Sequence, residues 1–199
     1  MKILLIGASG TIGQAVAKAL NNEHTVIGAN YSGGDVNVDI GDKASIEAMF
    51  EKVGKIDAIV STAGLANFAP LHELTDADYA LALDNKLMGQ INLMRLGQDY
   101  LNENGSVTIT SGVLAQEPMQ GSGVISMANG ALGSFVKAAS LELEGIRFNA
   151  VSPIFVKETM AMMGMDTESG LSAVDTAKAY VAAVTGSMNG ETLAATTFA

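Results

Sequence analysis

LLIGASGTIGQAVAKAL, residues 4–20, decides the fold. It joins the end of an apolar run that begins at Lys2 to a stretch that places Ile12, Val16 and Ala19 on one helix face. Gly7, Gly10 and Gly13 lie between the two, each three residues from the next. Gly7 permits a tight turn, Gly10 lets bare backbone approach a diphosphate, and Gly13 lets the helix pack on the strand. The free N–H groups of the first helical turn, and its dipole, attract the same anion. A glycine triplet alone can be an ordinary loop. Strand before and helix after make this one a nucleotide-binding turn.

Outward from it, runs of strand length alternate with helical periodicity. Strands are predicted over 24–30, 57–61, 106–110, 146–152 and 191–197, with helices over 11–20, 43–53, 75–101 and 173–184 and another beginning at Gly123. This order predicts a doubly wound, three-layer α/β fold with a parallel sheet of about seven strands, in one domain spanning 1–199. Between strand two and VNVD (36–39) only YSGGD intervenes, too short for a crossover helix, so a bare loop and a stub of edge strand are expected there. ETMAMMGMDTESG (158–170) clusters Met and Gly without periodicity. We expect 158–172 to be a substrate lid, with Met160, Met162, Met163 and Met165 as its adaptable surface; a subunit contact or a loop tip is the alternative.

The end of strand two bears on the choice of nucleotide. An NAD site wants Asp or Glu about 20 residues after the glycines. This strand ends in Asn30, Tyr31 and Ser32, and the first acid, Asp35, follows two more glycines. Asn30 and Ser32 can donate to a 2′-phosphate that no carboxylate repels. NADP(H) is therefore favoured over NAD(H), although no Arg or Lys clamps the phosphate and both residues also suit an ordinary loop.

Bulk properties narrow the partners. The net charge of −10, with no basic cluster, argues against nucleic acid and against an anionic membrane. Cysteine is absent, which removes disulfides and thiolate chemistry. No His and carboxylate spacing suggests a metal. The short apolar start is not a signal-peptide core, and a cytoplasmic location is expected. His24 and His72 are expected to face water.

With VSTAG (60–64), SVTITSG (106–112), RFNAVSP (147–153) and NGETL (189–193) following the glycine turn in this order, the chain resembles the short-chain dehydrogenases/reductases along essentially its whole length. The resemblance implies a Rossmann-type fold and hydride transfer between NADP(H) and a small carbonyl or alcohol. It implies that Ser9, Gly10, Thr11 and Ile12 line the diphosphate, Asp39 and Ile40 flank the adenine, Ala63 and Gly64 meet the adenosine ribose, and Pro153 through Val156 support the nicotinamide. The family's glycine after that proline is Ile154 here. A homodimer or homotetramer is implied too, with Ala128, Ala131 and Gly133 allowing close approach of helices.

The family's proton chemistry is missing. Its Tyr and the Lys four residues later fall on Ile125 and Asn129, and no Tyr-x-x-x-Lys exists anywhere in the chain. Ser111 fits the carbonyl-orienting serine; a strand-end serine bonding local backbone is the alternative. The relay asparagine falls on Lys86, three residues before Gly89, with Asn85 turned away by about 100° on an α-helix. Lys86 and Asn129 thus exchange the family's Asn and Lys. A desolvated Lys86 can donate a proton; a Lys snorkelling to solvent is the other reading. The resemblance is strongest to a small subgroup without the usual active-site residues. An oxidoreductase with a degenerate site and an inactive NAD(P)(H)-binding sensor both remain open.

Overall fold

The computed structural model describes all 199 residues. Strand β1 (Lys2–Ile6) is buried on both faces, which suits its unbroken aliphatic run. Helix α1 (Thr11–Leu20) follows, then β2 (Thr25–Asn30) and a two-residue β3 (Val36–Asn37). Next come α2 (Lys43–Val53), β4 (Ile56–Ser61) and α3 (Asp76–Leu81). Asp42 caps α2 by accepting from the Ala44 N–H, and Thr75 with Asp78 forms a capping box on α3. After a π-helical segment (Ala82–Gly89) the chain continues through α4 (Gln90–Gly97), β5 (Leu101–Thr110), α5 (Gly123–Ala139) and β6 (Arg147–Ser152). It closes with α6 (Lys157–Met162), α7 (Ala173–Thr185) and β7 (Thr192–Ala194).

All seven strands pair in parallel in the order β3-β2-β1-β4-β5-β6-β7. The chain winds outward from β1 to β3, then returns across β1 to place β4. That reversal puts a topological switch point at the carboxyl ends of β1 and β4, where open α/β sheets bind ligands. One face of the sheet is covered by α2, α4 and α5 around Phe50, Leu93 and Phe148. The other is covered by α1 and α7 around Val16 and Tyr180. The expected doubly wound, seven-stranded fold is the observed one.

Several boundaries differ. The helix predicted over 75–101 stops being α-helical at Leu81, widens into the π segment, and yields to β5 at Leu101. Only from Ser106 does β5 pair regularly with β4; the residues before it cross a register shift and include Asn104 at φ 62. The edge stub ends at Asn37, and the last strand ends at Ala194, where a 3-10 turn begins. Within 158–172 the non-periodic methionines conceal α6. The base of this segment is fixed by the Val156–Leu171 bridge, by Leu171 N–H donating to the Phe155 carbonyl at 3.0 Å, and by the Glu158 carboxylate accepting from the Ala173 N–H. Met160 turns inward, whereas Met162, Met163 and Met165 stay exposed. Ala128 is fully buried, and a Cβ on Gly133 would meet Thr192 of the same chain, so these two small residues serve packing within the protomer. His24 is half-buried rather than exposed, while His72 does face water.

Candidate active site

The three glycines of the first turn answer three different demands. Gly7 has φ +81, and a Cβ on it would lie 2.9 Å from Thr62 Oγ1. A Cβ on Gly13 would stand 2.0 Å from the Gly7 carbonyl oxygen, so any side chain there collides with backbone. Gly10 is different. A Cβ there would make one ordinary contact, 3.4 Å from the Gly7 carbonyl oxygen, so the fold itself tolerates a side chain at this position. No side chain caps α1, so the first-turn amides of Thr11 and Ile12 keep the orphan donors that a diphosphate satisfies.

A cleft of about 330 Å³ opens over this turn. Of the sequence-predicted residues, Gly7, Ser9, Gly10, Asn30, Asp39, Ile40, Ala63 and Gly64 line it. Thr11, Ile12, Gly13 and Ser32 do not: Ile12 packs its side chain against the α1–α7 core, and Ser32 sits on an exposed turn. Asn30 is buried and spends its carbonyl oxygen on the Ser9 N–H at 2.9 Å, so it tethers the glycine turn to β2. Asp35 folds back to accept from the Gly28 N–H at 2.8 Å. Six lining residues were not among the predicted site residues: Ile6, Tyr31, Val38, Thr62, Leu65 and Asn85. Thr62 Oγ1 lies 3.1 Å from both the Ile6 and Gly7 carbonyl oxygens and locks the turn to the end of β4. Its place directly after a buried strand was the available signal.

A second cavity of about 200 Å³ lies beyond the end of β5. It brings together Lys86, Ser111, Ile125 and Asn129 from the π segment, the β5 end and α5, with Pro153 opposite. Val156 is absent from it, being buried in the bridge to Leu171. The two cavities share a wall, because a Cβ on Gly64 of the first would lie 3.3 Å from Lys86 Cγ of the second. Asn85 serves the first cavity instead, accepting from the Leu65 N–H at 2.8 Å. Neighbouring residues thus serve neighbouring cavities.

Inside the second cavity the polar groups are unequal. Ser111 donates its hydroxyl proton to the Asn129 backbone carbonyl at 2.9 Å. The Asn129 side chain is 2% exposed, packs beside Gly112, and leaves its carbonyl oxygen without a partner. Ile125 presents only hydrocarbon. Lys86 makes no side-chain hydrogen bond and no ion pair, and it is the one ionisable side chain among the lining residues. Desolvation brings its pKa down from the ordinary lysine value to about 8.

The clamp behind Lys86 was not legible in the sequence. Gln90 is fully buried, yet its amide is saturated: Oε1 accepts from the Thr110 N–H at 2.7 Å, and Nε2 donates to the Thr110 carbonyl at 2.8 Å and to the Lys86 carbonyl at 3.0 Å. The Thr110 hydroxyl then joins the Ser61 carbonyl and the Tyr180 hydroxyl, each at 2.6 Å. A Cβ on Gly89 would meet the Ile40 carbonyl at 2.7 Å, so the π segment is pressed against the nucleotide cleft from its other side. π-helical turns of this kind gather at functional sites.

A family model described as enoyl-(acyl carrier protein) reductase matches residues 7–194. The chain belongs to the short-chain dehydrogenase/reductase family. It is 29% identical to an uncharacterised oxidoreductase of Methylorubrum extorquens, over 85% of this chain and 80% of that one. It is 31% identical to a short-chain dehydrogenase/reductase of Stachybotrys chlorohalonatus, over 76% and 72%. Among solved structures, the protein lin1944 from Listeria innocua superposes with a TM-score of 0.94 at 45% identity, covering 98% of each chain. A small-chain dehydrogenase in complex with NADPH superposes with a TM-score of 0.86 at 28% identity, covering 98% of this chain and 95% of that one.

Proposed function

We propose that this chain is an NADP(H)-dependent oxidoreductase that interconverts a small carbonyl and its alcohol, with Lys86 in place of the family's tyrosine. The observation that carries the proposal is the wall shared by the two cavities, with a lone, unpaired ammonium just beyond the nucleotide cleft. Ser9, Gly10 and the first-turn amides of Thr11 and Ile12 hold the diphosphate. Asp39, Ile40, Ala63 and Gly64 flank the adenosine, and Pro153 backs the nicotinamide. The NADPH bound by a structural neighbour supports this assignment, as does the absence of any carboxylate but Asp39 from the lining of the cleft.

When bound, the nicotinamide supplies or takes up hydride. The chain must then manage one proton on the substrate oxygen. Ile125 cannot, and the Ser111 proton is engaged with the α5 backbone. Lys86 is mostly protonated at neutral pH and free to donate, as a general acid with a pKa near the working pH should be. The exposed methionines of 162–165 offer an adaptable surface, with Met162 lining a hollow beside Thr11, Gln14 and Lys18 of α1.

The second reading is a nucleotide sensor without turnover, favoured by Ile125 and Asn129 at the two positions where the family's dyad would stand. Fluorescence titration with NADPH and NADH, followed by a panel of small carbonyls scored for NADPH consumption, separates the two. Consumption that Lys86→Met lowers by about 10²–10⁴-fold supports the enzyme. Tight binding with no consumption across the panel establishes the sensor.

A further inference from the structure

The charge inside the second cavity has no answer within the protein. Lys86 projects from the π segment with no hydrogen-bond acceptor and no carboxylate partner. Facing it from β5 and the segment after it are Thr110, Ser111, Val113 and Leu114; from α5, Ile125 and Asn129; from beyond β6, Ile154 and Phe155. None of these titrates. The phenol of Tyr180 lies one layer below, bonded to the Thr110 hydroxyl, and burial pushes its pKa up, so it stays neutral. A desolvated charge is ordinarily paired, because an uncompensated one costs several kcal/mol. Here Gln90 fixes the Lys86 backbone, and the half-buried side chain enters the cavity without a partner.

We infer that the missing counter-charge belongs to the substrate, and that the substrate is a short 2-oxo acid or the matching 2-hydroxy acid with an apolar side chain. An ammonium has three donors on one nitrogen. In a 2-oxo acid a carboxylate oxygen and the ketone oxygen sit on adjacent carbons, so one ammonium can hold both. The rest of the cavity is hydrocarbon from Val113, Leu114, Ile125, Ile154 and Phe155, which suits an alkyl tail. At about 200 Å³, shared with the nicotinamide, it admits only a few carbons.

The inference rests on the oxidoreductase reading for its chemistry and on Lys86 alone for its binding. In the reducing direction hydride adds to C2, the C=O π electrons move to oxygen, and Lys86 gives that oxygen its proton. Solvent then reprotonates Lys86. The carboxylate remains intact throughout.

The test has two arms. In the first, without nucleotide, thermal shift compares oxamate and 2-oxobutyrate with the neutral isostere 2,3-pentanedione. The acids should raise Tm in the wild type and in Lys86→Arg but not in Lys86→Met, and the shift should fade as pH rises through about 8 and the ammonium loses its proton. In the second, with NADPH, 2-oxobutyrate should be consumed with a kcat/KM at least about tenfold above the diketone, the difference a well-formed charge contact supplies. Equal responses to acid and diketone, or an acid response surviving Lys86→Met, overturn the inference. Acid binding in the first arm without consumption of 2-oxobutyrate in the second keeps the anion site and overturns the 2-oxo acid as substrate, leaving the oxidoreductase reading to the carbonyl panel.

Discussion

The glycine turn at the start of α1 and the cavity beneath α5 open on the same edge of one sheet, yet they are built from different materials. The turn recognises its ligand with backbone, and side chains matter there mainly by being absent. The cavity works with side-chain atoms: an ammonium, an amide, a hydroxyl whose proton is already engaged. Backbone recognition constrains residue type severely, since a collision at 2.0 Å admits glycine alone. Side-chain chemistry constrains only what reaches the reacting atoms, so the amine can be carried by a different element. On the function proposed above, the family framework is kept at the turn and rewritten in the cavity for this reason.

The turn offers the largest effects. Gly13→Val should cost about 3 kcal/mol or more, because overpacking here drives methyl groups into the Gly7 carbonyl, and the melt should lose its cooperative transition. Gly10→Val should leave the melt nearly unchanged while weakening NADPH binding at least about tenfold by fluorescence titration, since it fills only the anion's space. If the two variants fail alike, the distinction between packing glycine and ligand glycine is wrong.

Gln90→Leu probes the other region at its support. It keeps approximate volume but strips partners from the buried Thr110 N–H and carbonyl and from the Lys86 carbonyl, so denaturant unfolding should show a loss of about 1–3 kcal/mol. NADPH affinity should change less than Lys86 reactivity, followed by amine labelling and peptide mass. A loss in stability with unaltered labelling would reduce Gln90 to a packing residue.

Legibility in the sequence divides along the same line. The doubly wound parallel sheet could be read from Lys2–Ile6, Ile56–Ser61 and the periodic helices between strands, because burial writes its pattern directly into residue type. Gly7, Gly10 and Gly13 could be read by spacing. The π segment could not: 82–89 reads as part of one long helix, and the bond from the adjoining Gln90 across to β5 joins residues 20 apart. Nor could Asn30. Its position suggested a phosphate donor through its NH2; that its carbonyl oxygen also holds Ser9 had no local signal. Local pattern reports which residues are buried or turning; it does not report which polar partner a side chain selects.

The smallest effect carries the most specific information, because stability and activity should move oppositely. Lys86 binds its proton less tightly folded than unfolded, with its pKa brought down to about 8 by desolvation. Between that value and the ordinary lysine value the unfolded chain holds more protons, so the wild type gains stability as pH rises through this window. Lys86→Met removes the desolvated charge and leaves an apolar side chain of similar length. At pH 7 it should therefore melt higher than the wild type, by about 1 kcal/mol in unfolding free energy, and the advantage should shrink toward pH 10.5. Wild-type carbonyl reduction should fall over the same rise in pH, as the acid form of Lys86 is titrated away. A variant that melts lower at neutral pH would mean that Lys86 already has a partner in the folded chain, and the cavity would then resemble the turn in being complete before any ligand arrives.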